Sequence, residues 1–367
     1  MKTKRLRVGR TRPDRQGPLL TKGRGTLTRS NRFSSATLLV ALFVAASFYG
    51  FTSTTSASED AAQSGPQRII IDTDLSLWWD DATAVGMANV LQQRGEDRIL
   101  GVMSDIRNPE AAAALDAIDT FYGHSGIPVG AVADSSANTA PHGYSDVLAE
   151  QLPHAIRNSS QARPAVHLYR RLLAAQPDHS VTVVAIGGET NLAGLLRSGP
   201  GQGSSLPGRL LVTSKVKKLV IEDGLFPTGG PPFTNERLDI AATKALVGSL
   251  GWPTAIAWVD GFTGINTKVG GTLCTSVPPR NPMRIVYQKL FNCGPPRDGD
   301  WDGPTLLYAI EGASVIFSEL GQGGAAIING EGGLSWGPGV NHPKEVYVHV
   351  TNQTELNTRI NSLIEGS

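Results

Sequence analysis

Arg68-Ile69-Ile70-Ile71-Asp72-Thr73-Asp74-Leu75-Ser76-Leu77-Trp78-Trp79-Asp80-Asp81 is the stretch from which the fold can be read. Ile69–Ile71 is short, β-branched and uninterrupted, which predicts a buried strand. The pattern from Asp81 to Gln93 predicts a helix. Four carboxylates (Asp72, Asp74, Asp80, Asp81) therefore crowd the carboxyl end of a strand and the first turn of the next helix. In an open α/β sheet that edge is where ligands bind. Close anions repel one another unless a cation or protons neutralise them. Hard oxygen donors in such a cluster suit Ca²⁺ or Mg²⁺.

Outward from this segment, strand-like and helix-like patterns alternate. Strands are predicted at Arg68–Asp72, Ile99–Met103, Ile127–Ala131, Val181–Ile186, Lys218–Ile221, Thr254–Trp258, Ala325–Ile328 and Val346–Val350. Helices are predicted at Pro109–Tyr122, Ala162–Ala175, Leu192–Arg197, Glu236–Ser249, Pro304–Glu311 and Glu355–Glu365. This order predicts an α/β fold, an open and mostly parallel sheet with helices on both faces. The chain of 367 residues is 40% hydrophobic, enough for one large domain, expected at residues 66–367.

The formal net charge of +1 hides an asymmetry. Residues 1–33 carry eleven Lys/Arg and one acid, Asp14; taking these from totals of 33 and 32 leaves 22 basic and 31 acidic residues, net −9, for residues 34–367. An acidic folded part argues against nucleic-acid binding. The basic region (residues 1–33) precedes an apolar run, Ala36–Phe51, and then the small, polar Thr52–Ala57. Residues 34–57 thus have the order of a secretion signal, with cleavage expected after Ala57. The long basic region leaves an uncleaved signal anchor open, with membrane contact only through residues 34–52. A secreted or extracytoplasmic location follows from either reading. Export would place Cys274 and Cys293 in an oxidising compartment, where a bridge would close a loop of about twenty residues. Two buried thiols are the alternative. Neither cysteine has zinc-site spacing.

Five segments, in order, resemble the inosine/uridine-preferring nucleoside hydrolase family. They are Asp72-Thr-Asp74 followed by Asp80-Asp81-Ala82; Gly101-Val-Met-Ser-Asp-Ile-Arg-Asn108; Ala185-Ile-Gly-Gly-Glu-Thr-Asn-Leu192; Asn235-Glu-Arg-Leu-Asp239; and Trp301-Asp302 opening a helix. The resemblance spans about residues 67–312 and implies a Rossmann-like core. It implies Ca²⁺ held by the side chains of Asp74, Asp81 and Asp302 and the carbonyl of Thr190, with Asp72 in support. It implies that Asp80, Asn108, Asn235 and Asp302 hold the ribose hydroxyls. Asp74 would be the general base toward a calcium-bound water, in hydrolysis of an N-glycosidic bond. The expected partner is a small nucleoside-like substrate, with no nucleic acid, and a homo-oligomer remains open.

Each residue also has a plainer reading. Asp72 and Asp74 suit a turn, Asp80 and Asp81 suit a helix N-terminus, and Thr190-Asn191 suits a helix cap. Asp302 suits a cap before Pro304, and Asn108 and Asn235 suit loops. Departures from the family pattern are specific. Five residues, Leu75–Trp79, separate Asp74 from Asp80 where three are usual. Trp78 stands where a longer variant carries an Asp. Phe233 replaces a ribose-binding Glu, and Ile221-Glu222-Asp223-Gly224 replaces Met-Gly-Gly. Trp78 and Trp79 either stack on a base or fill the loop. His142, His154 and His342 have no motif spacing. The departures motivate an alternative, a degenerate relative that binds metal and sugar without turnover. A haloacid-dehalogenase-type phosphatase, suggested by Asp72-x-Asp74, needs a downstream Lys with a late Asp pair, and the segment Lys215–Lys218 is not followed by such a pair in a convincing context.

Overall fold

Ile69, Ile70 and Ile71 are fully buried, but on opposite sides of one sheet. Ile69 and Ile71 enter one hydrophobic core and Ile70 the other. This is the alternation of a pleated strand covered on both faces. A computed structural model describes residues 65–76, 78–134, 143–294, 299–339 and 344–366. The basic region, the apolar run, His142 and His342 lie outside the described residues.

The described strands are β1 (Gln67–Thr73), β2 (Asp97–Ser104), β3 (Val129–Ala131), β4 (Arg163–Pro164), β5 (Val181–Ile186), β6 (Val216–Glu222), β7 (Ala255–Val259), β8 (Phe317–Leu320), β9 (Gly324–Ile328), β10 (Leu334–Pro338) and β11 (Glu345–Val350). Nine form one sheet in the order β4-β3-β2-β1-β5-β6-β7-β11-β8. Every neighbouring pair is parallel except β8, which runs antiparallel to β11. Residues from helices Asp80–Gln93, Ala111–Phe121, Pro282–Phe291, Asp302–Glu311 and Gln353–Ile364 fill the core on the Ile69/Ile71 side. Helices Ala165–Ala174, Thr190–Arg197 and Gly208–Lys215 fill the other. The fold is the expected open, mostly parallel α/β sheet with helices on both faces.

Three local expectations change. The predicted strand Ala325–Ile328 forms, but in a separate two-stranded antiparallel sheet with β10. The Asn329 side chain accepts from the backbone N–H groups of Glu331, Gly332 and Gly333, closing a hairpin that pairs β9 locally. The predicted helix Glu236–Ser249 is broken into Thr234–Leu238, Ile240–Lys244 and a π-turn, Ala245–Ser249. Asp239 interrupts it: its backbone is non-helical and its carboxylate accepts from Ala242 N at 3.0 Å, a side-chain cap. The helix Pro282–Phe291 was not expected, although Asn281 caps it through Met283 N (2.9 Å) and Arg284 N (3.2 Å) and Pro282 opens it.

Cys274 and Cys293 form a disulfide with Cα atoms 5.7 Å apart. It ties the turn Leu273–Ser276 to the end of the helix Pro282–Phe291. Among the described residues no helix is long and apolar enough to cross a membrane.

Candidate active site

The sheet order reverses beside β1. The chain leaves β1 for β2 on one side, whereas β5 on the other side leads to β6 and β7. Connections after β1 and β5 therefore diverge, leaving a crevice at their carboxyl ends. A cleft of about 200 Å³ opens there.

Its acidic wall is built by three segments. Asp74 follows β1 directly. Asp80 and Asp81 open the helix Asp80–Gln93, and Asp302 opens the helix Asp302–Glu311. All four line the cleft. The Thr73 hydroxyl donates to Asp81 Oδ1 and accepts from Leu75 N at 3.1 Å, which shapes the turn after the strand. Trp301 N donates to Asp80 Oδ2 at 3.0 Å and brings the two helix starts together. Asp80, Asp81 and Asp302 each offer a carboxylate oxygen within 4.8 Å of the other two. Two helix N-termini partly offset this negative charge.

Burial sets the electrostatics. It pushes the Asp74 carboxyl up to about 7, with the charge of Asp80 adding to the shift. Burial, then the neighbouring carboxylates, holds Asp81 and Asp302 well above the usual carboxylate range. Asp74 Oδ2 and Asp81 Oδ2 are buried without a hydrogen-bond donor. Clustered, donor-starved carboxylate oxygens are the donor set a hard divalent cation takes. The residues present fit such an ion. The set that converges includes Asp80, which the family resemblance assigned to sugar binding alone.

Asp72 lies behind the cleft rather than in it. It accepts from Tyr169 Oη and from Asn191 Nδ2, both at 2.9 Å, and so joins the end of β1 to two helices. Burial still raises it to about 7, against the lowering by those two bonds. Gly187 follows β5 in close contact with this layer. A Cβ there would stand 2.3 Å from Asp105 Oδ2 and 2.6 Å from Asp74 N. Asp105 was not singled out in the sequence, yet it is buried beside Asp72 and Asp74 with both oxygens lacking donors.

Two further candidates are placed outside the cleft lining. Thr190 opens a helix and donates from Oγ1 to Asp239 Oδ2 at 2.8 Å. Asn108 is buried, donates to Ser76 Oγ at 2.8 Å and accepts from Glu110 N at 2.8 Å, bracing the loop after β1. Asn235, by contrast, lines the cleft from the helix Thr234–Leu238. Its amide donates to Glu222 Oε2 at 2.6 Å.

Glu222 is the main residue that the sequence reading missed as a site group. It ends β6, is 2% exposed and lines the cleft. A signal existed: Leu219-Val220-Ile221-Glu222 repeats the pattern of an apolar strand ending in an acid seen at Ile69–Asp72. The two tryptophans divide the roles offered to them. Trp79 is core, edge-on to Tyr287 with ring centroids 4.9 Å apart. Trp78 is 48% exposed and lines the cleft with Phe233 and Trp301. Phe233 and Trp301 lie 6.4 Å apart. Gly264 permits this, since a Cβ there would meet the Trp301 ring at 2.3 Å. Among the described lining residues there is no histidine. His154 is engaged elsewhere, with its ring nitrogens on the carbonyls of Ile156 (2.8 Å) and Ala149 (3.0 Å).

Residues 69–221 match the sequence profile of the inosine-uridine preferring nucleoside hydrolase family. Over those residues the chain is similar to that family. Its fold agrees. A plant nucleoside hydrolase superposes with a TM-score of 0.61 at 16% identity, covering 82% of this chain and 99% of the other. The inosine-uridine preferring nucleoside hydrolase of Bacillus anthracis gives 0.63 at 16% identity, covering 82% and 100%. The type III effector XopQ, solved with adenosine diphosphate ribose, gives 0.59 at 16% identity, covering 82% and 94%. No curated relative matches the chain significantly in sequence. The matched profile ends at Ile221. Glu222, Asn235 and Asp302 lie beyond it and reach the cleft through the fold.

Proposed function

We propose that the chain is an exported, calcium-dependent hydrolase of the N-glycosidic bond of a ribonucleoside or related ribosyl compound. The observation that carries this reading is the convergence of Asp80, Asp81 and Asp302, with Asp74 beside them, in a cleft at the sheet's switch point. The profile match over residues 69–221 supports N-glycosidic hydrolysis as the reaction class. The Cys274–Cys293 disulfide supports export.

Asp74, Asp81 and Asp302, with Asp80 in reach and the Thr190 carbonyl implied by the resemblance, would hold a Ca²⁺. The ion would supply positive charge that acidifies and orients a water. Asp74 takes the proton at its carboxylate oxygen Oδ2, which has no hydrogen-bond donor. Asp80, Asn235 and Asp302 position the sugar through its hydroxyls. The carboxylates favour the positive charge that develops on the sugar as the bond to the base breaks. Trp78, Phe233 and Trp301 offer aromatic surface to a flat leaving group.

Incubating the purified chain with a nucleoside panel, with and without chelator, tests the reading. Base release that stops on chelation is expected. No release by protein that demonstrably binds calcium overturns it. Ligand-induced stabilisation without release would instead establish the sugar-binding relative that Trp78 and Phe233 suggest.

A further inference from the structure

Glu222 is the cleft acid that the proposed reaction leaves without a task. It sits at the carboxyl end of β6, opposite the loop after β1. Its two oxygens differ. Oε2 accepts from Asn235 Nδ2 at 2.6 Å, and the same amide reaches the Glu222 carbonyl at 3.1 Å, so the side chain is held at a fixed angle. Oε1 is buried without a donor. A buried carboxylate oxygen lacking a donor is costly unless a ligand completes it. A cation is the less suitable partner, because Glu222 lies outside the group of Asp80, Asp81 and Asp302 that converge within 4.8 Å. Anionic groups are repelled by the surrounding acids. What fits is a neutral hydroxyl donor.

We propose that Glu222 Oε1 accepts a hydrogen bond from one hydroxyl of the bound pentose, making Glu222 a sugar-selecting residue. The proposal rests on the ribosyl reading above and adds to it. Phe233 presents only a ring to the cleft, so Glu222 supplies from β6 an acceptor that Phe233 cannot. Asn235 acts with it as the group that aims the carboxylate.

The test uses the full chain with Ca²⁺ and methyl β-D-ribofuranoside, together with its 2-, 3- and 5-deoxy forms, by titration calorimetry. The wild type is expected to bind one deoxy form about tenfold more weakly, the effect of losing one hydrogen bond to a buried acceptor. Glu222→Gln, whose amide NH2 would face the hydroxyl once its oxygen takes the Asn235 bond, is expected to bind the parent sugar more weakly and to lose part of that distinction. Its melting temperature should hold or rise, because a carboxyl crowded by other acids becomes an amide that cannot ionise. Glu222→Met, of similar volume, should lose the same discrimination. Variants that melt lower yet discriminate the sugars as the wild type does would make Glu222 structural and overturn the inference alone. A wild type that binds calcium but no ribofuranoside would overturn the ribosyl reading, and the inference with it.

Discussion

The backbone N–H of Trp301 donates to Asp80 Oδ2 across a separation of 221 residues. That single bond joins the starts of two helices, and the three carboxylates of the candidate cation site converge because those starts meet. Asp80 is thereby engaged in the protein itself as well as facing the cleft.

If the convergence holds a cation, Asp302→Asn should weaken calcium binding by about 100-fold or more, since metal affinity falls about 10- to 100-fold even when only a group supporting a ligand is lost. Wild-type protein should gain about 2.7 kcal/mol of stability at a calcium concentration 100 times Kd. The variant should gain almost none at that concentration. Calorimetric titration and melting with and without chelator provide the check. Equal calcium stabilisation of both proteins would count against the site.

Asp74→Asn keeps the side-chain shape and removes the base. Turnover should fall by roughly 10²- to 10⁴-fold, the usual range for a general base. With calcium raised until the variant's weakened site is filled, the Kd for methyl β-D-ribofuranoside should change by less than about threefold, because the sugar contacts are assigned elsewhere. Single-turnover kinetics beside calorimetry separates the two effects.

Trp78 is half-exposed on the cleft rim, so Trp78→Ala should leave the melting temperature within about 1–2 °C. Loss of stacking on an aromatic leaving group should raise KM for a nucleoside by about fivefold to tenfold. Affinity for a ribofuranoside without a base should not change. A parallel loss for both ligands would mean that Trp78 shapes the sugar pocket instead.

Asp97, away from the cleft at the start of β2, has both carboxylate oxygens buried without donors. Burial, with the charge of Glu96 adding, raises it from 3.8 to about 8. A raised folded value means that the native state holds the proton more tightly than the unfolded chain. This contribution to stability is fully present below the unfolded value and is lost as pH rises through about 8. Asp97→Asn should therefore raise the melting temperature at pH about 9 by roughly 5 °C, and change it little at pH about 4. Scanning calorimetry at the two pH values measures the difference.

The disulfide joins cysteines 19 residues apart. In the chain-entropy description such a bridge contributes about 3 kcal/mol. The Cys274→Ser/Cys293→Ser double variant should lose about that much in denaturant unfolding, while its calcium affinity stays unchanged.

Much of the scaffold was legible because its cues are local. Ile69–Ile71, Val181–Ile186 and Leu219–Ile221 are runs that only a strand covered on both faces accommodates. The helix Asp80–Gln93 was legible from its pattern and its acidic first turn. The short strand β4 and the antiparallel β8 were not, because neither carries enough periodic sequence to declare itself. The break at Asp239 is a cap inside a helical pattern, and composition alone cannot separate a capping aspartate from a surface one.

The sequence by itself determined the alternation of strands and helices and the presence of acids where strands end. Both depend on neighbours in the chain. Tertiary structure alone decided which acids meet. Asp302 joins Asp80 and Asp81 because two helices pack together, and Glu222 faces the cleft because β6 is the second strand from β1. It also separated Trp79 in the core from Trp78 at the rim, and turned Asn108 toward Ser76. Electrostatic and hydrogen-bond energies depend on distance in space, and adjacency in the chain does not set that distance.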